Sequence, residues 1–142
     1  MTQDLLAKAT ITIDAPRSEV WTALVSPEAA RVYMFGTELR SDWKKGSPIT
    51  WEGLWEGKHY KDKGTILDIE RGQLLRYSHF SPLSGQPDRP ENYHTVTIEL
   101  ADDGDGTEVT LTQDNNASET ARVHSEKNWG MMLAMLKQYL EE

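Results

Sequence analysis

The sequence predicts an α+β fold: a curved antiparallel sheet of six to seven strands wrapped on a long C-terminal helix, with two short helices after strand one. Three observations carry this reading. A strand-like run from Lys8 to Asp14 leads at once into a helix start at Pro16. About eighty residues of alternating, turn-punctuated sequence follow, and one long amphipathic stretch from about Ser118 to Tyr139 closes the chain. A sheet of that size is apolar on one face and has to bury it, and only the last helix is long enough to cover it. A curved sheet around one helix leaves a cavity between them, so the default expectation is a container for a small molecule.

Strand one is read at residues 9–13, Ala-Thr-Ile-Thr-Ile, which alternate. Asp14-Ala15-Pro16 then opens a helix, with Asp14 or Ala15 as cap and Pro16 in the first turn, where no helical acceptor awaits its missing N–H. Val20, Trp21, Leu24 and Val25 form its apolar stripe. Ser26-Pro27-Glu28 repeats the start signal for a second helix to about Tyr33, ended by Gly36.

Strand two is placed at Thr37 to Trp43, with Leu39 and Trp43 on one face, and Lys44-Lys45-Gly46 turns the chain. Strand three runs from Ile49 to Glu56. Ile49, Trp51, Gly53 and Trp55 share the face taken as inward because Thr50, Glu52 and Glu56 occupy the other, with Leu54 as the exception. Strand four covers His59 to Glu70, with a bulge expected near Lys63-Gly64. After Arg71-Gly72, strand five alternates Leu75, Tyr77 and His79 against Leu74, Arg76 and Ser78. Residues 81–92 carry three prolines and form the longest loop, long enough to suggest a functional role. Strand six, Tyr93 to Ala101, puts His94, Val96, Ile98 and Leu100 on one face. A hairpin turn at Asp102–Gly106 leads to strand seven, with Val109, Leu111 and Gln113 inward. Ser118 caps the last helix, whose expected buried stripe is Trp129, Met132, Leu133, Leu136 and Leu140.

Composition narrows the function classes. At 142 residues the chain fits one domain, taken as residues 1–142. The net charge of −8 argues against nucleic acid and anionic membrane surfaces as partners. There is no cysteine, which excludes disulfides, thiolate catalysis and Cys-ligated zinc. No signal peptide or membrane span is recognisable, so a cytoplasmic protein is expected. Five Trp and five Tyr against two Phe favour a partly wet cavity wall over a dry core.

At this point several motifs converge. Strand one is followed by Ala15-Pro16-x-x-x-Val20-Trp21-x-x-Leu24, then by Asp42-Trp43-x-x-Gly46. Gly64-x-Ile66-Leu67-x-Ile69 runs into Leu74-Leu75-Arg76-Tyr77, and Trp129-Gly130-x-x-Leu133-x-x-Leu136-x-x-x-Leu140 closes the chain. This series resembles the START-like helix-grip (SRPBCC) superfamily, and within it the bacterial relatives of the activator of heat-shock-protein-90 ATPase, over roughly residues 8 to 141. The resemblance implies a shared cavity and no shared catalytic residues. The eukaryotic co-chaperone has a further N-terminal domain for its client. Seven residues precede strand one here, so that activity is not expected of this chain.

His79 and His94 are the sharpest candidate pair. As hairpin neighbours on the cavity face near Tyr77, they could do acid–base work, orient a carboxylate, or simply be hydrogen-bonded wall residues. The four histidines show no metal-ligand spacing, so no metal and no cofactor are expected. There is neither a Gly-rich phosphate loop nor a nucleophile elbow. Met34, Met131, Met132 and Met135 read as core before they read as an adaptable pocket.

The leading function is binding of a small apolar or amphipathic molecule between the sheet and the last helix. Its expected walls are Trp51, Trp55, Tyr77, His79, His94, Val96, Gln113, Trp129 and Met132, with His79, Tyr77 and Gln113 orienting a polar head. The alternatives are a cavity enzyme acting on an aromatic or polyketide-like substrate, and a co-chaperone-like interaction protein. No catalytic residue is assigned, and the sequence does not set the ligand or the oligomeric state.

Overall fold

The alternation of the strands and the single long helical stripe leave one arrangement that buries both. The computed structural model describes residues 5–55 and 57–141, with the backbone alone at residue 55. The elements run β1 (Ala7–Ile13), α1 (Arg17–Leu24), α2 (Pro27–Tyr33), β2 (Glu38–Ser41), β3 (Pro48–Trp55), β4 (Lys58–Glu70), β5 (Leu74–His79), β6 (His94–Asp103), β7 (Gly106–Gln113) and α3 (Glu119–Glu141). The strands form a seven-stranded sheet in the order β1-β7-β6-β5-β4-β3-β2, every neighbouring pair antiparallel. The first strand closes the sheet beside the last, and everything else follows the chain as a meander.

Period-two alternation sets the buried face. Ile49 and Trp51 of β3, Leu75 and Tyr77 of β5, Val96, Ile98 and Leu100 of β6, and Val109 and Leu111 of β7 are all buried. Met132, Leu133 and Leu136 of α3 meet them in one core cluster with α1 and α2. Leu54, the exception on the charged face of β3, is 71% exposed, so the inward assignment of Trp51 stands.

Several local expectations are corrected. Pro16 is itself the cap of α1, its carbonyl accepting from Glu19 N (3.0 Å) and Val20 N (3.1 Å), and the helix begins at Arg17. Strand two stops at Ser41, because Trp43 takes a left-handed φ of 56° and its N–H turns back to Ser41 Oγ at 3.0 Å. The irregularity in β4 falls between Ile66 and Asp68, not at Lys63-Gly64. Gly64 pairs in register with Ile49 and is needed for another reason: a Cβ there would lie 1.7 Å from the Ser78 carbonyl oxygen.

A Cβ on Gly53 would lie 2.8 Å from Tyr60 Oη, so Gly53 makes room for Tyr60. The side chain of Trp55, and Glu56 as a whole, lie outside the described residues. Trp129, expected to be buried, is half-buried, and the fully covered stripe of α3 is Met132, Leu133 and Leu136.

The 81–92 loop is more ordered than a bare excursion. It contains two short 3₁₀ turns, Pro82–Ser84 and Pro90–Asn92. Asp88 pairs with Lys63 and accepts a hydrogen bond from the Tyr93 hydroxyl at 2.5 Å. Asn115, at a left-handed φ of 57°, donates its amide to the carbonyls of Glu91 (2.8 Å) and Tyr93 (3.0 Å). Among the described residues no helix is long and apolar enough to cross a membrane.

Candidate functional site

Alternation along β5 sends Tyr77 and His79 to the concave face, and antiparallel pairing sets His94 of β6 directly opposite His79. Trp51 reaches the same place from β3. Its ring centroid is 5.0 Å from that of Tyr77 and 5.0 Å from that of His79, which it meets edge-on. The two imidazoles stack with centroids 6.2 Å apart. The indole of Trp51 is therefore a shared wall, with an apolar compartment toward Tyr77 and a polar cluster toward His79.

The polar cluster contains a residue that the sequence reading missed. Asp62 lies opposite Trp51 in the β3–β4 register, and its Oδ2 is 2.9 Å from His79 Nε2. Both side chains are mostly covered, at 16% exposure for Asp62 and 23% for His79. Asp62 Oδ1 is buried and has no hydrogen-bond partner among the described residues. The signal available in sequence was parity: Tyr60, Asp62, Gly64 and Ile66 alternate onto the concave face, with a carboxylate among them. His94 is fixed by its Nδ1, 3.0 Å from the Asp114 carbonyl oxygen. A histidine held on a carboxylate can take or give a proton at its other nitrogen. No hydroxyl of a described residue hydrogen-bonds to that nitrogen of His79, so no nucleophile is paired with it.

Toward Tyr77 the wall is apolar. Tyr77 is 2% exposed, and burial pushes its hydroxyl well above the ordinary tyrosine range. Tyr33 shifts the same way, first through burial and then through its proximity to Tyr77, and its hydroxyl donates to the Leu24 carbonyl at 3.0 Å. Between sheet and α3, walls that include Met34, Trp43, Trp51, Tyr77, Ile98 and Met132 enclose a void of about 10 Å³. That holds one water-sized sphere, so in this state the space expected for a ligand is filled by the protein's own side chains. A concavity of about 310 Å³ is a surface groove along α1 beside the Arg71–Gln73 turn, lined by Arg17, Trp21 and Arg71 among others. It shares no residue with the aromatic wall or the histidine pair, and Arg17 is already engaged by Asp102 and the Gly72 carbonyl.

The remaining expected wall residues fall further along the sheet. Val96 is fully buried between Tyr77 and Gln113, its register partners in β5 and β7. Gln113 Oε1 accepts from Trp129 Nε1 at 2.5 Å, and Gln113 Nε2 donates to Asn116 Oδ1 at 3.3 Å. Asn116 in turn donates to the Leu5 carbonyl at 2.7 Å and accepts from Ser125 Oγ at 2.8 Å. Both ends of the Gln113 amide are thus engaged within the protein, in a network joining β7, α3 and the start of the chain. Among the described residues no group of three His, Asp or Glu side chains is arranged to hold a metal ion.

Comparison with known proteins places this geometry. Residues 14–141 match the family described as Activator of Hsp90 ATPase homolog 1-like protein. A Cytophaga hutchinsonii protein whose structure was determined in solution is 55% identical, with a TM-score of 0.86, over 99% of this chain and 97% of that one. The Aha1 dimer from Colwellia psychrerythraea is 17% identical, with a TM-score of 0.74, over 96% of each chain. DynU16, a protein of the dynemicin biosynthetic locus, is 16% identical, with a TM-score of 0.80, over 98% of this chain and 48% of that one. At such identities the last two establish a common fold alone. No curated protein matches the chain.

Proposed function

This chain belongs to the Activator of Hsp90 ATPase homolog 1-like family, and from that premise we propose that it binds a small amphipathic molecule between the concave sheet and α3. One observation carries the reading: the Trp51 indole joins an apolar wall, made with Tyr77, to the hydrogen-bonded His79–Asp62 pair. An apolar body against Trp51, Tyr77 and Met132 and a polar end toward His79 and His94 is the division of labour expected of a small-molecule site. The void of about 10 Å³ then represents a closed state, and binding requires its walls to part. The movable side is the rim, where Met34, Trp43, Met135 and Leu140 are only partly buried against the core. A purely dry core would have no use for a buried carboxylate and two imidazoles beside its aromatic wall.

Native mass spectrometry of the protein as purified, followed by titration with an apolar fluorescent probe, tests the reading. One probe should bind per site and quench tryptophan emission, and Met132→Phe, which fills the void, should abolish binding while the protein stays folded. Undiminished binding in that variant would place the ligand elsewhere.

A further inference from the structure

The hydrogen-bond partners of the cluster fix which nitrogen of each neutral ring carries the hydrogen. A backbone carbonyl only accepts, so the His94 nitrogen facing Asp114 O carries a hydrogen, and the neutral ring presents a lone pair at Nε2. An ionised carboxylate also only accepts, so His79 Nε2 is the donor to Asp62, and its Nδ1 is left with a lone pair. Asp62 Oδ1, buried and without a partner among the described residues, is a third acceptor. With both imidazoles neutral, every hydrogen-bonding position that the cluster leaves open is an acceptor. A buried acceptor left unpaired is costly, and more so when it carries charge.

We propose that the Asp62–His79–His94 cluster selects ligands whose polar end donates hydrogen bonds, a hydroxyl in the first instance, and discriminates against carboxylates and ethers. This rests on the binding reading above and sharpens it. The site takes an apolar body carrying a phenolic or alcoholic O–H, whose hydrogen goes to Asp62 Oδ1. It reverses the simplest expectation for a histidine pair, which is to hold an anion. Two cationic imidazoles would do that, but neutral ones oriented by a carbonyl and a carboxylate have no donor to offer. Asp62 adds negative charge next to them and excludes a carboxylate further.

The test uses three probes with one apolar body: naphthol, its methyl ether and naphthoate. Each is titrated into the intact protein at about pH 8, where imidazole is ordinarily neutral. Affinity is read from the chemical shifts of the Trp51 indole. Naphthol should bind about tenfold more tightly than the ether, the size expected when a buried acceptor loses its donor. Naphthoate should bind more weakly still. Equal affinities for naphthol and ether, or naphthoate binding best, would overturn the proposal while leaving the binding reading intact. Binding of none of the three would overturn both. Asp62→Asn is the sharper check, because its amide keeps an oxygen for His79 and presents N–H groups where Oδ1 stood. The preference for naphthol over naphthoate should then shrink or reverse, and a preference as large as in the unaltered protein would remove Asp62 from the assignment. The probe series on the unaltered protein decides the matter even if that variant fails to fold.

Discussion

Trp129 of α3 donates its indole N–H to Gln113 Oε1 of β7 at 2.5 Å, tying the long helix to the strand that pairs with β1. Gln113 is 8% exposed, so removing the donor strands a buried acceptor. Trp129→Phe keeps most of the packing and deletes the bond, and should cost about 1–3 kcal/mol in urea unfolding. Trp129→Ala should cost more, though less than the roughly 3–5 kcal/mol of a fully buried large aromatic, because the ring is only half-covered. A Phe variant as stable as the parent would mean that the bond contributes nothing in solution.

Gly64 is expected to tolerate no side chain. A Cβ would stand 1.7 Å from the Ser78 carbonyl oxygen, which is backbone and cannot swing aside. Gly64→Ala should therefore push β4 and β5 apart next to His79, with a loss of about 3 kcal/mol or more, or no folded protein at all. Gly53→Ala is a milder control, because its neighbour is the far end of the Tyr60 side chain. The Gly53 variant should lose the Tyr60–Thr37 hydrogen bond while remaining folded. Thermal unfolding of the two variants side by side checks the contrast.

Acid should loosen the 81–92 segment. Hydrogen bonds from Lys63 and then from the Tyr93 hydroxyl hold the Asp88 carboxyl below the ordinary aspartate range. A carboxyl whose folded pKa is depressed contributes stability above its unfolded value, and that contribution disappears as pH falls through the folded value. Amide protection factors across residues 82–91 should therefore fall as Asp88 is protonated, and Asp88→Asn should show the lower protection at neutral pH without that acid dependence. If the segment also acts as a lid over the two histidines, saturating ligand should protect it further. Equal protection with and without ligand would leave it a passive connection.

At the alkaline end, Tyr33 and Tyr77 should remain un-ionised for as long as the protein is folded. Both are raised above the usual tyrosine range, chiefly by burial. A group whose folded pKa is raised stabilises the fold below its unfolded value, and stability falls once pH exceeds about 10, where unfolded tyrosine ionises. Spectrophotometric titration should show these two silent until the cooperative unfolding step. Gradual ionisation of all five tyrosines before unfolding would contradict their burial.

The sequence by itself determined the order of elements and the face of each strand, because both follow from local periodicity. Val96, Ile98 and Leu100, or Trp51 beside Glu52, can point only one way once one face is buried. It also put His79 and His94 on the same face of neighbouring strands, because parity sets the face, while the register that pairs them directly came from the structure. What it left open depended on contacts far apart in the chain. Asp62 reads as one more surface charge until the β4–β5 approach sets it against His79, 17 residues away. Gln113 reads as a free polar wall residue until Trp129 and Asn116 take both ends of its amide. The size of the void was undetermined for the same reason. Strand patterning says which side chains point inward, while how tightly they meet depends on how closely α3 settles onto the sheet, and only the packed tertiary structure decides that.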